Sequence, residues 1–206
     1  MYIYNMSNNI DKIVYINLDK RTDRKEEIET ELNNFNLSYE RYPAIYNSYG
    51  AIGCSQSHLN VLKLARDRGY KNILILEDDF TFLVSKEEFE FNLKSFFEKF
   101  QDYNVCMISY NLCEHQEIKD ECVNRVLSAQ TTSGYIVNSN YYDKLIDIFE
   151  KAIPLLEKTG EHWNYACDTV WKSLQRIDKW YYFKTRIGKQ RPGYSDIEKN
   201  NTNYGC

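Results

Sequence analysis

An unbroken apolar run at residues 73–76 restricts what this chain can fold into more than any other feature of its sequence. A strand with one solvated face alternates apolar and polar side chains, whereas a strand that is apolar at every position is typical of a parallel sheet covered on both faces. A second apolar run, residues 13–18, has strand length and is rich in β-branched residues. Between the two runs, residues 25–34 and about 55–68 have the apolar spacing of helices. This alternation predicts an α/β domain with a mainly parallel sheet flanked by helices.

The remaining elements follow from apolar spacing and length. Strands are predicted at 105–109, 134–137 and 180–183, and helices at 87–100, 141–152 and 168–176, the second of these ending before Pro154. No internal repeat or Pro/Ser-rich linker divides the 206 residues, so residues 1–187 are predicted to form one domain. Residues 188–206 are polar and rich in Gly and Asn, which predicts a flexible tail or a loop that becomes ordered when a ligand binds.

Charge and apolar content exclude several classes of protein. The 26 Lys and Arg residues and 30 Asp and Glu residues leave a formal net charge of −4, so no net basic field attracts nucleic acid or an anionic membrane. No stretch reaches the roughly 18 consecutive apolar residues of a membrane span, and the polar amino terminus lacks the features of a signal peptide. We therefore expect a cytoplasmic protein without a nucleic-acid partner or a transmembrane segment. Its six cysteines include no CxxC pair and are expected to be ordinary thiols.

Three consecutive acids, Glu77, Asp78 and Asp79, directly follow the predicted buried strand. The carboxyl ends of strands border the ligand crevice of an open α/β sheet, so these side chains are expected at its mouth. Their negative charges repel one another and raise each other's pKa unless a cation compensates them. Oxygen ligands suit Mg²⁺ or Mn²⁺, and the diphosphate of a substrate would complete the coordination of the ion. The alternative is that the acids cap a following turn and are solvated.

Residues 50–58 lead into the second predicted helix. Gly50 and Gly53 permit a tight turn, and Ser55 can cap the first helical turn with its hydroxyl. Free N–H groups at that helix start can face an anion. His58 is then expected within the first turn, either as a structural hydrogen-bonding group or as a base. The sequence leaves both roles of this histidine open.

Polar residues also follow the first predicted strand. Asn17 and Asp19 can hold a base or a ribose at this edge of the sheet, as nucleotide-binding α/β proteins do. Arg21 and Arg24 can reach a phosphate from the same turn. A solvated charged turn would have the same composition, so both interpretations stay open.

Three positions in the second half of the chain are also candidates. Lys189 and Arg191 would neutralise a leaving diphosphate if the carboxyl-terminal segment folds over the site, although a basic patch on a flexible tail has the same composition. Asp168 stands at the start of a late predicted helix. A carboxylate there either caps the helix, or accepts a proton from an acceptor hydroxyl or holds that acceptor in place.

Several of these segments together make the chain resemble glycosyltransferase family 25, the lipopolysaccharide-biosynthesis and procollagen galactosyltransferase group. The segments are 13–24, 50–58 and 73–79, in the family's order and near its usual spacing, with weaker matches at 133–137, Asp168 and 190–198. The resemblance therefore covers most of the chain. It implies a GT-A architecture, in which a Rossmann-like half binds a nucleotide sugar and an acidic motif binds the metal ion that presents the diphosphate.

The resemblance implies an inverting transfer of galactose or glucose from a UDP-sugar, with Mn²⁺ or Mg²⁺ as the cofactor. Asp79 would be the first metal ligand and Glu77 the second, although Glu77 stands where the family's Asp-x-Asp motif has Asp. Asp168 matches the late Asp of the family and would be the catalytic base, with Asp78 as the second candidate. Carbohydrate transfer with inversion needs such a base opposite the departing UDP.

The other implied roles concern the two substrates. Asn17, Asp19 and Arg21 would contact the nucleoside, and His58 would line the donor pocket. Lys189 and Arg191 would close over the phosphates. The acceptor would be a free or lipid-linked glycan, or hydroxylysine on a collagen-like protein. The chain looks more like the short bacterial or large-virus relatives than like the longer animal members.

Two other functions fit the same residues. A nucleotide-sugar-binding module without turnover would keep the turn after the first strand but lose the metal acids or the base. Glu77, Asp78 and Asp79 are all present, which favours the enzyme. A metal-dependent phosphohydrolase would need a nucleophilic Asp at the end of its first strand, where Asp19 stands.

Overall fold

One eight-stranded sheet runs through the computed structural model, which describes residues 9–195, 200–203 and 205. Part of the predicted polar amino terminus, positions 196–198 of the weakest family match, and Cys206 lie outside the described residues. None of the helices in the described part of the chain combines the length and the apolar content needed to cross a membrane.

The strands and helices alternate through the first half of the chain, as predicted. The strands are β1 (Lys12–Asn17), β2 (Tyr39–Pro43), β3 (Asn72–Glu77), β4 (Phe80–Phe82), β5 (Val105–Met107), β6 (Asn111–Gln116), β7 (Val123–Gln130), β8 (Gly134–Asn138), β9 (Trp180–Phe183), β10 (Gly188–Gln190), β11 (Gly193–Ser195) and β12 (Asn200–Thr202). The helices are α1 (Thr22–Asn34), α2 (Gly50–Asp67), α3 (Lys86–Lys99), α4 (Tyr142–Thr159), α5 (His162–Tyr165), α6 (Cys167–Val170) and α7 (Lys172–Gln175), with a 3-10 turn at Ser139–Tyr141.

The main sheet has the strand order β2-β1-β3-β8-β5-β9-β7-β6. β1 is parallel to β2 and β3, and β5 is parallel to β9. In contrast, β8 is antiparallel to β3 and β5, and β7 is antiparallel to β6 and β9. The predicted α/β class is confirmed, and the sheet is mainly parallel as predicted, since six of its eight strands run in one direction and only β7 and β8 run in the opposite direction.

Both faces of β3 are covered, as its apolar run predicts. Ile73 and Ile75 pack on the side of α2 and α4, whereas Leu74 and Leu76 pack on the side of α1 and α3. All four side chains are fully buried. Because burying one such side chain contributes about 1.5–3 kcal/mol, β3 is a firm support for the acidic residues at its carboxyl end.

The start of α2 differs from the prediction. The helix begins at Gly50, so Gly50 and Gly53 form no turn before it, and Ser55, the sixth helical residue, does not cap it. Among the described residues no side chain caps the first turn of α2, and an anion at its N–H groups stays a prediction. Ser55 Oγ instead accepts a hydrogen bond of 3.1 Å from the backbone N–H of Cys167. His58 is the ninth helical residue and is fully buried, not a first-turn residue.

Gly53 is needed because the preceding loop crosses α2 closely. A Cβ atom at this position would lie 2.4 Å from the carbonyl oxygen of Ile45. Gly53→Ala is therefore expected to lower the free energy of unfolding by about 1–3 kcal/mol, the usual cost of overpacking, measured by urea denaturation. Gly193→Ala is the control, since a Cβ there meets no atom within 4 Å. Equal stability of the two variants would show that the loop does not approach α2 as closely as described.

Two predicted helices in the second half have different bounds. α4 continues through Pro154 to Thr159 instead of ending before the proline. Pro154 is exposed while Ile153 and Leu156 are buried, so the inner face of the helix keeps its packing and the missing N–H is on the solvent side. The single helix predicted at 168–176 is instead two single turns, α6 and α7, separated by the fully buried Trp171.

Candidate active site

The acidic residues lie at the carboxyl end of β3, in the turn to β4. Glu77 is the last residue of β3, and Asp78 and Asp79 follow it. Asp78 is only 7% exposed and Asp79 only 6% exposed. The alternative of solvated, turn-capping acids therefore does not describe this site, because buried carboxylates need compensating partners.

Arg24 of α1 is the cation that bridges two of these acids. Its Nη1 donates hydrogen bonds of 3.0 Å to Asp78 Oδ1 and to Asp79 Oδ2. Burial acts to lower the pKa of Arg24, but the charges of Asp79 and Asp78 outweigh it and raise that pKa. Asn17, at the end of β1, donates from Nδ2 to Asp78 Oδ2 over 2.8 Å. Burial nevertheless raises the pKa of Asp78 above its usual range, against the effects of Arg24 and Asn17.

Asp79 is the acid whose bonding is least complete. Its Oδ2 accepts from Arg24 and, over 3.1 Å, from Gln190 Nε2, but its Oδ1 is buried with no hydrogen-bond partner. Burial and the nearby charge of Glu77 raise the pKa of Asp79 to about 7. An unpartnered buried carboxylate oxygen is a suitable ligand for a hard cation such as Mn²⁺ or Mg²⁺. The residues present therefore fit the metal that the family resemblance implies.

Glu77 contacts three side chains on neighbouring elements, the third being the Cys54 thiol, which donates to Glu77 Oε1 over 3.8 Å. The same Oε1 lies 3.0 Å from His58 Nε2 and accepts from Thr132 Oγ1 over 2.6 Å. Burial acts to raise the pKa of Glu77, but the hydrogen bond and charge of His58, with Thr132 and Arg24, lower it overall. Cys54 Sγ, His58 Nε2 and a Glu77 oxygen lie within 4.8 Å of one another, a mixed donor set that suits a borderline ion such as Zn²⁺ better than Mg²⁺.

The first cavity, of about 380 Å³, opens at this edge of the sheet. It is bounded by the ends of β1 and β3, the loop before α2 with the first turns of α2, and the residues around β11. Its lining includes Asn17, Lys20, Arg24, Tyr46, Cys54, His58, Glu77, Asp78, Asp79, Gln190, Tyr194 and Ser195. Of the residues predicted from the sequence, Asn17, His58 and the three acids therefore meet around one space.

The second cavity, of about 360 Å³, lies beside the first. Cys54, Glu77 and Gln190 line both cavities and form the wall between them. Asp168 lines only the second, where its Oδ2 accepts a hydrogen bond of 3.2 Å from the backbone N–H of Thr131. Burial raises the pKa of Asp168, although the Thr131 bond acts in the opposite direction.

Four predicted site residues line neither cavity. Asp19, with its side chain 82% exposed, pairs with Arg41, and Arg21 pairs with Asp23. Lys189 is in β10, opposite Thr81 of β4. The guanidinium of Arg191 pairs with Glu27 and Glu31 of α1, while its backbone N–H donates to the carbonyl oxygen of Asp79. The roles predicted for these four side chains stay predictions.

Cys54, Thr132 and Gln190 are among the site residues without a predicted role. Cys54 and Gln190 lie in segments 50–58 and 190–198, so their place in these segments is a sequence signal. Thr132 carries no sequence signal. Thr132 lies in the connection between β7 and β8, and it reaches Glu77 because β8 is next to β3 in the sheet.

Comparison with known proteins gives one family match. Residues 47–171 match the model of glycosyltransferase family 25, described as LPS biosynthesis protein. This range contains α2, the acidic residues and Asp168. A search of curated proteins gives no significant match.

Solved structures with a similar course of the chain have low sequence identity. A glycosyltransferase involved in the glycosylation of the major capsid of PBCV-1 is 13% identical, with a TM-score of 0.48 over 91% of this chain and 95% of that one. Mannose-1-phosphate geranyltransferase from Thermus thermophilus is 8% identical, with a TM-score of 0.47 over 86% of this chain and 58% of that one. The glycosyltransferase GlyE of Streptococcus pneumoniae TIGR4 is 13% identical, with a TM-score of 0.42 over 84% and 38%.

Proposed function

Since the chain belongs to glycosyltransferase family 25, we propose that it transfers a hexose, galactose or glucose, from a UDP-sugar to a hydroxyl group of an acceptor, with inversion at the anomeric carbon. The helices on both faces of the α/β sheet agree with the GT-A architecture that the family implies. The observation that carries the proposal is the pair of cavities that meet at Glu77, Cys54 and Gln190. An in-line displacement needs two substrates on opposite sides of one carbon atom.

The first cavity suits the UDP moiety. Tyr46, a residue that is 69% exposed, lines this cavity, and an exposed aromatic ring offers a stacking surface for a nucleobase. Lys20 lies over that ring, 5.4 Å from its centroid, and supplies positive charge for a phosphate. The side-chain amide of Asn17 is engaged by Asp78 and Arg41, so in this proposal Asn17 positions the acids and Tyr46 contacts the base.

Asp79 and Glu77 are the residues that would hold Mn²⁺ or Mg²⁺ in this proposal. When bound, the ion neutralises the negative charge that develops on the departing diphosphate. Arg24 binds Asp79 through its Oδ2, and Oδ1, which is buried and has no hydrogen-bond partner, would coordinate the ion. The segment that begins at residue 188 would close this side of the site, because Gln190, Tyr194 and Ser195 contribute to the wall of the first cavity.

The acceptor hydroxyl would enter the second cavity, beside Asp168. The carboxylate of Asp168 accepts the hydroxyl proton while the hydroxyl oxygen forms its bond to the anomeric carbon. The bond from that carbon to the β-phosphate oxygen breaks, and its electron pair leaves with UDP. The raised pKa of Asp168 suits a group that takes up a proton and gives it to solvent after the transfer.

The experiment that tests this function measures UDP release. The protein is incubated with Mn²⁺ and each of a panel of UDP-sugars, with and without an acceptor, and free UDP is quantified. We expect release from a single hexose donor, stimulation by an acceptor and loss of release in EDTA. Release that is unchanged by EDTA would contradict the role given to the metal.

The same assay separates the two alternative functions. A nucleotide-sugar-binding module would be stabilised against heat by UDP and would release none from any donor. A metal-dependent phosphohydrolase would release inorganic phosphate. Phosphate release would need Asp19 as a nucleophile, although the side chain of Asp19 pairs with Arg41 and lines neither cavity.

A further inference from the structure

We infer that the second cavity binds the terminal sugar of a glycan acceptor and that the apolar face of this sugar stacks on Trp163. The inference rests on the proposed function only in taking the second cavity as the acceptor side. It narrows the acceptor to a carbohydrate and excludes the hydroxylysine of a collagen-like protein as the main substrate.

Trp163 is an exposed tryptophan at the second cavity. It is 62% exposed and lines the second cavity, whereas the other two tryptophans, Trp171 and Trp180, are fully buried in the core. Removing the apolar surface of an aromatic ring from water is favourable. Because the Trp163 ring lines a cavity, a ligand bound in that cavity can cover it.

The ring of Trp163 is oriented by its neighbours. The Oη of Tyr49 donates to the carbonyl oxygen of Gly160 over 2.7 Å, so it accepts from Nδ1–H of His162, also over 2.7 Å. The imidazole of His162 meets the Trp163 indole edge to face, with the ring centroids 5.2 Å apart and the planes at 75°. Because these contacts exist before a ligand arrives, less conformational freedom is lost when Trp163 binds one.

Polar groups around the ring match the hydroxyl edges of a sugar. Asn111, Gln130 and Thr131 line the second cavity with Asp168. Side-chain amides both donate and accept hydrogen bonds, as sugar hydroxyls do. A hexopyranose ring has one face made mostly of C–H groups and a periphery of hydroxyls, which corresponds to one aromatic wall and several amides. The side chain of hydroxylysine is a single chain with no such face.

The first test uses tryptophan fluorescence in the presence of UDP and Mn²⁺. Because the two other tryptophans are fully buried, acrylamide is expected to quench mainly Trp163. We expect neutral di- and trisaccharides of at least one type to shift the emission to shorter wavelength and to protect the indole from acrylamide, with saturation. Trp163→Phe should lack the protected component. Protection by a hydroxylysine-containing collagen peptide and by no saccharide of the panel would overturn the inference.

The second test is kinetic and uses the acceptor that gives the protection. Trp163→Ala is expected to raise the KM for this acceptor about tenfold. The KM for the UDP-sugar should change much less. Trp163→Phe, which keeps an aromatic ring, is expected to restore part of the loss. Phe91→Ala is the matched control, since Phe91 is 66% exposed on α3 and lines neither cavity. Equal acceptor KM values for Trp163→Ala and Phe91→Ala would contradict the inference.

The two proposals fail in different ways. If the wild-type protein releases no UDP from any donor, the transferase function is wrong, while saccharide protection of Trp163 is still measured directly. If UDP is released but Trp163 is neither protected by saccharides nor needed for a low acceptor KM, the function stands and the glycan site on Trp163 is wrong.

Discussion

Replacing Asp168 by Asn is expected to lower kcat for transfer about 10²- to 10⁴-fold, the usual contribution of a general base. Asn has the shape of Asp and can still accept the hydrogen bond from the Thr131 N–H, so the fold around α6 is retained. It cannot take up the proton of the acceptor hydroxyl. The loss should therefore appear in kcat and not in the Kd of UDP, since Asp168 does not line the first cavity.

The control for this variant is the same substitution on the surface. Asp147 is on α4, pairs with Lys151 and lines neither cavity, so Asp147→Asn should transfer sugar at the wild-type rate. If Asp168→Asn also retains the wild-type kcat, the base assignment is wrong. Asp78 is then the next candidate, although its contacts with Arg24 and Asn17 lie on the side of the first cavity.

The pH dependence of kcat follows from the same residue. Burial raises the pKa of Asp168, so its neutral form persists to a higher pH than that of an ordinary aspartate. Only the ionised form accepts a proton, and therefore kcat should fall as the pH is lowered through this raised pKa. In Asp168→Asn the residual rate should lack this acidic limb.

Replacing Asp79 by Asn is expected to lower the Mn²⁺-dependent rate about 10²- to 10³-fold, as loss of one group that stabilises transition-state charge usually does. The reason is that Asn has no charged oxygen to offer at the position of the unpartnered Asp79 Oδ1. Mn²⁺ titration followed by electron paramagnetic resonance should show weaker binding in the presence of UDP. Tight Mn²⁺ binding by Asp79→Asn would contradict the role of Asp79 as a metal ligand.

A stability measurement separates loss of the metal site from loss of the fold. The pKa of Asp79 is raised to about 7, so at pH 6 most of its carboxyl groups are protonated in the folded protein. Asn replaces a neutral carboxyl group at that pH with little change in shape. The unfolded wild type ionises at this carboxyl group at pH 6 and the variant does not, so the Tm of Asp79→Asn in EDTA at pH 6 should be no lower than that of the wild type. A large decrease would show that the variant loses activity because it unfolds.

Strands and helices with a strong local pattern were predictable. β1, β3, β8 and β9 are apolar runs bounded by polar turns, and α3 has the spacing of an amphipathic helix. These elements depend on burial of their own side chains, which the composition of each segment reports directly. The first part of α1 was missed because residues 22–24 are polar and show no apolar spacing.

The elements that escaped prediction depend on a distant partner. β6 is almost wholly exposed and has no apolar alternation, and it is a strand because β7 supplies its hydrogen bonds. The start of α2 could not be predicted because Gly50 and Gly53 are typical of turns. Gly53 is instead set by the close approach of Ile45, which only the packed structure contains. A local pattern cannot report such contacts, since their free energy depends on residues elsewhere in the chain.

The local sequence predicts that three acids leave a buried strand together, because an apolar strand must end where its polar residues begin, and the family resemblance implies that Asp168 is the base. The way in which these charges are compensated follows from packing between distant elements. Arg24 reaches Asp78 and Asp79 because β1 lies beside β3, and Asp168 comes to the far side of Glu77 because α6 packs on α2 through the bond from Cys167 to Ser55. Electrostatic interactions act through space over a few ångströms, so the residues that set them can be far apart in the chain.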